Sequence, residues 1–404
     1  MFEDILNEHQ SRADRLQLAA LCGLIVVGTA FVYSATMANE SAALLPLYNQ
    51  LWFRQIIWYA LGLGAGTAVC FLDYRILARW SVVVYGATLV LLVAVLIPGI
   101  GTTHGWGARR WIDLGPFQMQ PSEFAKLACI LAMADFLSRP LEEVRQPANF
   151  WKALGMMLLP FLLILKEPDL GSALVLLPTG LAMFSAAGMP RRFLMRLVCG
   201  VGILAALFLV DVLFAPPNWQ IKLEDYQRRR LLVYFSKDYA PPPHASKAEM
   251  ERLRKQQFDD SHNVRQALIS VGSGGLTGKG WRQGTQNALG YLPRAVAHND
   301  FIFSVIAEEE GFVGSVVVIT LYSLVLFTGI RIAGQARDRL GKVLAVGVVT
   351  LLFSHVFINI GMNVRIMPVT GVPLPLLSYG GSSVLGSLIA MGILQNVYIH
   401  RKAY

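Results

Sequence analysis

Charged residues are scarce in this chain, and long apolar runs dominate it instead. Lys, Arg, Asp and Glu make up 15% of the 404 residues, while hydrophobic residues make up 54%. Many of the apolar runs are long enough to cross about 30 Å of hydrocarbon, which takes roughly 20 helical residues. The sequence therefore predicts an all-α, polytopic integral membrane protein in which residues 1–404 form a single membrane domain.

The predicted transmembrane helices follow these runs along the chain. Pro168 separates the fifth from the sixth, because proline removes a backbone hydrogen-bond donor and breaks a helix. The fifth is therefore expected to be either a short helix or a re-entrant segment. About ten spans are predicted, at residues 16–37, 55–72, 79–98, 119–138, 151–166, 169–188, 193–214, 301–330, 343–362 and 378–399.

The unequal distribution of Lys and Arg indicates the orientation of the predicted bundle. Because positive charge is retained on the cytoplasmic side, we expect both termini in the cytoplasm and residues 215–299 in one large extracytoplasmic loop. The first run is too long for a signal-peptide core and has no small-residue cleavage pattern, so it is expected to be retained. The net charge of +9 reflects topology and indicates no nucleic acid partner. Short segments on the expected outer side carry only Arg54, Arg109, Arg110, Lys166 and Arg365, against sixteen such residues on the other side.

Cysteine and histidine are also few. Cys22, Cys70, Cys129 and Cys199 fall in or beside apolar spans, with no paired spacing and no clustered His. This pattern indicates packing residues and neither a disulfide framework nor a metal site. Residues 275–280, GLTGKG, superficially resemble a phosphate-binding loop, but the upstream Gly spacing and the following Ser or Thr are missing. We therefore expect no nucleotide and no organic cofactor.

The predicted outer loop, residues 215–299, contains two contrasting stretches. Residues 218–235 place basic residues beside an apolar patch, which is typical of a helix lying at the headgroup level. Residues 246–260 are highly charged, which predicts a solvated helix or partial disorder. The loop ends in a glycine-rich segment, where tight turns are expected.

Asp300 stands directly before the eighth apolar run, at the predicted membrane surface. Carboxylates cost roughly 2.5 kcal/mol or more at the centre of a bilayer helix, so those near the membrane are usually functional. One interpretation is chemistry on a lipid-linked substrate. The other is a structural N-cap, in which the side chain accepts hydrogen bonds from first-turn N–H groups. Glu308 and Glu310, deeper in the same run, are expected to line a cavity or neutralise nearby Arg or Lys.

Other charged residues are concentrated in the outer half of the predicted bundle. Glu123 and Lys126 are three residues apart, so they share a helix face and can pair. His355, within the ninth span, is expected to be a hydrogen-bonded core residue. The outer charges form either structural ion pairs or the lining of an outward-facing cavity, of the kind that marks substrate pathways. The segment 367–383, rich in Pro and Gly, must be buried in protein or line such a cavity.

Four motifs resemble those of the SEDS family, the shape, elongation, division and sporulation proteins. They are RRWIDLGPFQMQPSEFAKL, EPDLGSALVLLPTG, GKGWRQGTQNALGYLP with HNDFIF and AEEEGFVG, and PVTGVPLPLLSYGGSS. The GTQ after GKGW and the YQRRRL of the outer loop resemble the elongation branch, the RodA-like members. The chain departs from the family at Asn299, where Thr is usual, at Arg294, where Glu is usual, and in residues 245–260, which resemble an insertion.

The resemblance implies a peptidoglycan glycosyltransferase that polymerises lipid II on the outer face of the bacterial cytoplasmic membrane during cell elongation. It implies a class B penicillin-binding transpeptidase as partner, and it assigns Asp300 the role of catalytic general base. Arg110, Glu123 and Lys126 match family positions. The candidate substrate-binding residues are Arg54, Arg109, Arg110, Glu123, Lys126, Lys166, Asp169, Gln286 and Ser382.

Such a reaction needs a base for the acceptor hydroxyl and positive charge beside the departing pyrophosphate. Arg and Lys can supply that charge, and so can a divalent cation, Mg²⁺ or Mn²⁺. Two other functions fit a polytopic bundle. A lipid II flippase should carry ionisable residues through the whole depth of the membrane, and a non-catalytic scaffold needs no Asp300. The concentration of charge near the outer face favours outer-leaflet chemistry.

Overall fold

The computed structural model describes residues 13–37, 44–102, 109–115, 117–214, 225–235, 247–292 and 296–401. Its strands are β1 (Gly101–Thr102), β2 (Trp111–Asp113) and β3 (Gln118–Met119). Its helices are α1 (Arg15–Met37), α2 (Leu51–Phe71), α3 (Tyr74–Arg79), α4 (Ser81–Leu96), α5 (Pro121–Leu137), α6 (Leu141–Val144), α7 (Pro147–Lys166), α8 (Leu170–Ala186), α9 (Arg191–Phe214), α10 (Asp225–Tyr234), α11 (Lys247–Ser273), α12 (Thr285–Ala288), α13 (Ile302–Gln335), α14 (Arg339–Asn363) and α15 (Gly381–Ile399).

Each of the ten predicted spans corresponds to one of these helices. Among the described residues, α1, α7, α9, α13, α14 and α15 are long and apolar enough to cross a membrane, and α4 and α8 are shorter apolar helices. The other two predicted spans are α2 and α5. The protein is therefore a nearly all-helical, polytopic membrane protein, as predicted. In the part of the chain that the structure describes, the all-α prediction omits a small antiparallel sheet, in the order β1-β2-β3.

The boundary between α7 and α8 lies where the proline predicted it. α7 ends at Lys166 and α8 begins at Leu170, so Pro168 occupies the turn between them. α7 nevertheless has 20 residues and continues through Pro160. It begins at Pro147, four residues before the predicted start. Proline suits the first turn of a helix, because a backbone N–H there would have no partner within the helix. The expectation of a short or re-entrant fifth span is therefore wrong.

Small residues allow a close helix contact in the bundle core. A Cβ added to Gly392 of α15 would lie only 2.4 Å from the backbone oxygen of Gly66 on α2. Such contact between backbones is typical of membrane helix pairs, which pack through small residues. α5 is buried over most of its 17 residues, at the centre of the bundle. α9 is the opposite case, since nearly all of it is exposed and available to lipid.

α13 is a broken helix. Gly311 has φ 63° and ψ −155°, outside the helical region, so the predicted uninterrupted span 301–330 is wrong at this point. The glycine-rich end of the outer loop fills the break. The N–H of Phe312 donates to the oxygen of Gly275 at 2.9 Å, and the N–H of Gly280 donates to the oxygen of Glu309 at 2.8 Å. The loop thereby satisfies backbone groups that a break inside a membrane helix would leave without partners.

The segment between α14 and α15 is irregular and largely buried, as its prolines and glycines predicted. Val372, Leu374 and Leu377 are fully buried. Its polar backbone is held by side chains of other elements, as when Ser378 Oγ donates to the oxygen of Asn299 at 2.6 Å. The segment that follows α14 therefore packs against the residues just before α13.

The predicted outer loop contains α10, α11 and α12. The expected headgroup-level helix, 218–235, is described from residue 225, where α10 begins, and α11 covers most of the charged stretch. Residues 215–224, 236–246 and 293–295, and with them Arg294, lie outside the described residues. Because this loop leads from α9 to α13, α13 starts on the side of the bundle that carries it, hereafter the loop side.

Candidate active site

Asp300 lies where the segment preceding α13 meets the end of α14. Its backbone carbonyl accepts hydrogen bonds from the side-chain amides of Asn359 and Asn363, at 3.1 and 3.0 Å. The N-cap position of α13 belongs to Phe301 and has no side-chain hydrogen bond. The N-cap interpretation of Asp300 is therefore wrong. Two asparagines hold the backbone of this residue, and its carboxylate does not cap the helix.

The Asp300 carboxylate lies close to two arginines. A Cβ added to Gly371 would be 3.6 Å from Asp300 Oδ2 and 3.6 Å from Arg230 Nη1, so the two charged groups approach each other across this glycine. Burial raises the pKa of Asp300 to about 6. Arg230 and then Arg110 oppose the rise by favouring the carboxylate, whereas Asp169 adds to it. Asp300 is therefore ionised at neutral pH and lies within electrostatic reach of both cations.

Arg230 belongs to α10 of the outer loop, and the sequence prediction missed it as a site residue. Its Nη1 donates to the oxygen of Val369 at 3.3 Å, and the hydroxyl of Tyr234 donates to the oxygen of Ile366 at 2.7 Å. These two contacts dock α10 onto the irregular segment after α14. The only sequence signal was the basic stretch YQRRRL, which looked like a helix at the lipid headgroups. Asp300, Arg230, Arg110 and Asp169 are called the Asp300 cluster below.

Arg110 joins this cluster from the hairpin between α4 and α5. It directly precedes β2, whose pairing with β1 and β3 fixes the local chain direction. Its Nε donates to the oxygen of Glu167 at 3.1 Å, and its Nη2 donates to the oxygen of Pro168. The guanidinium is therefore held at the turn between α7 and α8. Pro168 breaks the helix there, and the exposed carbonyls of the helix end favour a cation.

Asp169 and Ser382 are joined through one glutamine. The Asp169 carboxylate accepts from the N–H of Ser172 at 3.1 Å, which caps α8, and from Gln120 Nε2 at 2.9 Å. The backbone N–H of Gln120 in turn donates to Ser382 Oγ at 3.0 Å. Both predicted residues are buried. Asp169, a member of the Asp300 cluster, therefore connects the starts of α5, α8 and α15.

Glu123 and Lys126 form the pair that their spacing predicted. Lys126 Nζ lies 2.7 Å from Glu123 Oε1, and the side chains are 1% and 6% exposed. Lys126 Nζ also lies 2.9 Å from Nε2 of His355, which confirms that this histidine is a hydrogen-bonded core residue. With so little exposure, Lys126 is placed to orient its neighbours, and direct contact with a substrate phosphate would require it to leave this pocket.

The structure does not bring every predicted substrate-binding residue to the Asp300 cluster. Arg54 is exposed, donates to the oxygen of Tyr48 at 3.0 Å, and faces the phenol of Tyr379. Arg109 and Lys166 are exposed on the loop side. Gln286 lies elsewhere, beside Glu308 of α13. Their roles in substrate binding remain predictions.

The acids of α13 hold the glycine-rich end of the outer loop. Glu308 accepts from Lys279 Nζ at 2.5 Å and from the N–H of Gln286 at 3.0 Å. Glu309 accepts from Ser34 Oγ at 2.6 Å and from the N–H of Arg282 at 3.0 Å. The expectation that Glu308 neutralises a nearby cation is therefore confirmed. The sequence did not indicate that the cation would come from the loop.

Glu167 is the most unusual acid near the cluster. It is fully buried, and neither carboxylate oxygen has a hydrogen-bond partner among the described residues. Burial raises its pKa to about 9, the nearby Asp169 carboxylate adds to this rise, and Arg110 opposes it. Glu167 is therefore protonated at neutral pH, because an unpaired buried carboxylate is strongly disfavoured.

Glu167→Gln is expected to change how stability depends on pH. The pKa of Glu167 rises from 4.5 to about 9 on folding. The folded state therefore holds the proton more tightly, and this stabilisation is complete below about pH 4.5 and lost as pH rises towards 9. Gln is neutral throughout. Thermal unfolding in detergent should show the wild type losing stability relative to Glu167→Gln between pH 5 and 9, by at most about 1.4 kcal/mol per pH unit.

The matched control for this experiment is Glu143→Gln, which changes an exposed acid of α6. It should follow the wild-type pH dependence. If Glu167→Gln also follows the wild-type curve, Glu167 is ionised in the folded protein and has a partner that the structure does not provide.

A divalent cation would have few protein ligands in this region. Among the described residues, no group of three or more His, Cys, Asp or Glu side chains is placed to hold a metal ion. Mg²⁺ often binds through one or two carboxylates and the phosphates of a substrate. Asp300 and Asp169 are the carboxylates of the cluster that fit this pattern, so any cation there would depend on substrate phosphates.

These features define a class: a polytopic membrane protein with a carboxylate and two arginines at one end of its bundle. Residues 14–403 match the cell cycle protein family FtsW/RodA/SpoVE. The chain belongs to this family, whose members include the SEDS proteins that its motifs resemble. Because relatives that it matches over almost its whole length are named peptidoglycan glycosyltransferases, it is a membrane glycosyltransferase.

Individual relatives cover almost the whole chain. It is 34% identical to the peptidoglycan glycosyltransferase MrdB of Escherichia coli K12, over 96% of this chain and 94% of that protein. It is 35% identical to the probable peptidoglycan glycosyltransferase FtsW of Geobacter metallireducens, over 97% of this chain and 96% of that protein. A solved peptidoglycan synthase complex, described as coordinating polymerization and crosslinking, contains a chain with TM-score 0.73 and 30% identity, covering 96% and 98% of the two chains.

Proposed function

We propose that this protein polymerises lipid II into peptidoglycan glycan strands at the outer face of the cytoplasmic membrane during cell elongation. The observation that carries this proposal is the Asp300 cluster, where the ionised Asp300 carboxylate lies beside two arginines at the end of the bundle. The resemblance of GTQ and YQRRRL to the elongation branch supports the elongation role. Identities of 34% and 35% to proteins named MrdB and FtsW do not separate elongation from division.

Asp300 is the general base in this proposal. The 4-hydroxyl of the acceptor's GlcNAc attacks the anomeric carbon of the donor's terminal MurNAc, and its proton passes to the Asp300 carboxylate. A base is most effective when its pKa is near the working pH. Burial supplies this property by raising the pKa of Asp300 to about 6, while the arginines keep the carboxylate charged.

Arg110 and Arg230 stabilise the departing undecaprenyl pyrophosphate. Guanidinium groups bind phosphate oxygens through paired N–H donors. One acid suffices because pyrophosphate is a good leaving group, unlike the alcohol of a simple glycoside, whose hydrolysis generally uses two carboxylates. Arg110 comes from the α4–α5 hairpin and Arg230 from the outer loop, so substrate binding would join two separate elements.

Glu123 and Lys126 act as positioning residues. Their pair lies with His355 between α5 and α14, and His355 Nδ1 is 3.4 Å from the oxygen of Pro373. Pro373 belongs to the same irregular segment as Gly371, which separates Asp300 from Arg230. The pair therefore helps to hold the segment after α14 in place, and this segment lies between Asp300 and Arg230.

The orientation of the protein follows from the same proposal. We place both termini in the cytoplasm and the loop side outside, supported by the imbalance of Lys and Arg in the sequence. Lipid II polymerisation then takes place in the outer leaflet, where the Asp300 cluster faces the sugar-bearing end of the substrate.

The flippase alternative can be separated from polymerisation in proteoliposomes. Fluorescent lipid II placed in one leaflet reports translocation, and digestion of glycan strands from the same vesicles reports polymerisation. We expect strand formation with no increase in translocation above protein-free vesicles. Translocation without strand formation, in vesicles with active wild-type protein, would overturn the proposed function.

The rate of polymerisation should depend on pH through Asp300. Because its pKa is about 6, the carboxylate is protonated and inactive as a base below this value. At limiting lipid II, the rate should fall about tenfold for each pH unit below 6 and level off above it. A rate that is unchanged between pH 5 and 8, measured with protein that remains folded, would contradict the assignment.

A class B penicillin-binding transpeptidase is the proposed partner. Its single membrane span would pack against the lipid-facing surface of α13 and α14, where Val316, Phe327 and Phe353 are exposed and glycines allow close approach. Co-purification with each such transpeptidase of the same cell should yield one stable pair that polymerises faster. Absence of both a stable pair and any stimulation would contradict this partner.

A further inference from the structure

A groove on the membrane-facing surface of α1 and α2 lies apart from the Asp300 cluster. It is open to the surface, with a volume of about 540 Å³, and Ile25, Val26 and Ala30 of α1 and Ile56 of α2 line its walls. The hydroxyl of Thr29, between these apolar side chains, donates to the backbone oxygen of Ile25 at 2.8 Å and so is already paired. From Ile25 to Tyr33 the groove extends about 12 Å along the helix. Its shape and chemistry fit a hydrocarbon chain.

Three aromatic rings form the rim of this groove at the loop side. The ring of Tyr33 meets that of Trp52 edge to face, with centroids 5.5 Å apart, and stacks on that of Trp281 at 5.9 Å. Trp52 Nε1 donates to Gln50 Oε1 at 2.7 Å. Trp and Tyr with apolar faces and polar tips are enriched at the level of lipid headgroups. The rim therefore marks where a lipid headgroup would lie above the groove.

Arg282 places a positive charge on this rim. Its guanidinium lies over the ring of Tyr33, 5.4 Å from the centroid, and its side chain is exposed. Within the described part of the chain, no acid forms a salt bridge with it. Its backbone has φ 62°, a left-handed conformation that costs a residue with a Cβ roughly 1–2 kcal/mol. Glu309 holds that conformation by accepting from the Arg282 N–H at 3.0 Å.

The neighbouring lysine behaves differently. Lys279 is neutralised by Glu308 at 2.5 Å. Of these two cations, only Arg282 is therefore available to an anion from the bilayer.

We propose that this groove binds one acyl chain of an anionic phospholipid of the outer leaflet, with the negatively charged headgroup on Arg282. The apolar walls favour a lipid over a free phosphate ion. The uncompensated guanidinium favours a headgroup with net negative charge over a zwitterionic one, whose cationic end would meet the same arginine. The occupant is thus a glycerophospholipid such as phosphatidylglycerol, bound at a site separate from the one proposed for lipid II.

The bound lipid would fasten the outer loop to the bundle. Trp281 and Arg282 belong to the glycine-rich segment that fills the break in α13, and Glu308 and Glu309 hold that segment. A lipid that contacts Tyr33 and Arg282 together would join α1 to this segment. Anionic lipid should therefore stabilise the folded protein as well as bind to it.

Purified full-length protein in nanodiscs tests this proposal. Discs contain either phosphatidylcholine alone or a mixture with phosphatidylglycerol, and native mass spectrometry counts the lipids retained after release from the disc. Wild type should retain phosphatidylglycerol over phosphatidylcholine and unfold at a higher temperature in the mixed discs. Arg282→Gln should lower the preference about fivefold, while Arg282→Lys should keep most of it.

The matched control is Arg252→Gln, which removes an exposed arginine of α11 away from the groove. It should retain the wild-type preference. A second variant, Val26→Trp, fills the groove and leaves Arg282 in place, and it should lose retained lipid of both kinds.

Several results would overturn the proposal. One is equal retention of the two phospholipids by wild type, and another is a preference in Arg282→Gln that matches Arg252→Gln. Displacement of phosphatidylglycerol by inorganic phosphate would make the site an anion site. Displacement by undecaprenyl phosphate at lower concentration than by phosphatidylglycerol would make it a polyprenyl site.

Discussion

Asp300→Asn is expected to lower lipid II polymerisation by about 100-fold or more, while expression and thermal stability stay near those of the wild type. Asn has nearly the same size, and the contacts of Asn359 and Asn363 go to the backbone oxygen of residue 300. The substitution therefore removes the base and leaves its support in place. Purified variant and wild type should be compared at saturating lipid II.

Asp300→Ala should lose as much activity as Asp300→Asn, because both lack a proton acceptor. Asp113→Asn is the matched control, since it changes an exposed acid of β2 whose carboxylate accepts from the N–H of Gly115 at 2.8 Å. It should keep the wild-type rate. If folded Asp300→Asn elongates glycan at the parental rate, the general-base assignment is wrong.

Lys126→Met should have the second-largest effect, because it should lower both the stability of the fold and the rate of polymerisation. It leaves the Glu123 carboxylate without its cation in a site where both side chains are almost fully buried. Breaking a buried pair in this way costs roughly 3–5 kcal/mol, so the unfolding temperature should fall steeply and polymerisation should be lost. Thermal unfolding in detergent and strand formation should be measured on the same preparation.

The double variant Lys126→Met with Glu123→Gln separates stability from function. It removes both charges, so most of the lost stability should return, while activity stays low if the pair positions the cluster. Arg75→Met is the matched control, because its pair with Asp338 at 3.0 Å is 39% and 32% exposed. An exposed pair contributes at most about 1 kcal/mol. Full activity in the stable double variant would show that Glu123 and Lys126 have no role in catalysis.

The membrane helices could be predicted because hydropathy alone determines where a chain can cross a bilayer. The Glu123–Lys126 pair could be predicted because three residues bring two side chains onto one helix face. The break at Gly311 could not. A break costs an isolated helix hydrogen bonds, so the local sequence favours an uninterrupted helix. The hydrogen bonds that stabilise the break come from Gly275 and other residues distant in sequence.

In the site too, residues marked by their local sequence could be predicted, whereas residues placed by tertiary contacts could not. Asp300 was found because it is an acid beside an apolar run and because it falls in a family motif. Arg230 was missed because a basic stretch next to apolar residues equally predicts a helix at the membrane surface. The docking of α10 on the segment after α14, through Arg230 and Tyr234, brings Arg230 to the acid. Gln286 lies in a neighbouring motif, yet its backbone N–H binds Glu308, away from the cluster.

The most direct test of the central claim is polymerisation of purified lipid II by the purified protein in detergent. The products are glycan strands, separated by length after the reaction with wild type alone and with each candidate transpeptidase whose active serine has been removed. We expect strands from the wild-type protein and a higher rate with one partner. Folded wild-type protein that forms no strands, alone or with any of these partners, would contradict the proposed glycosyltransferase function.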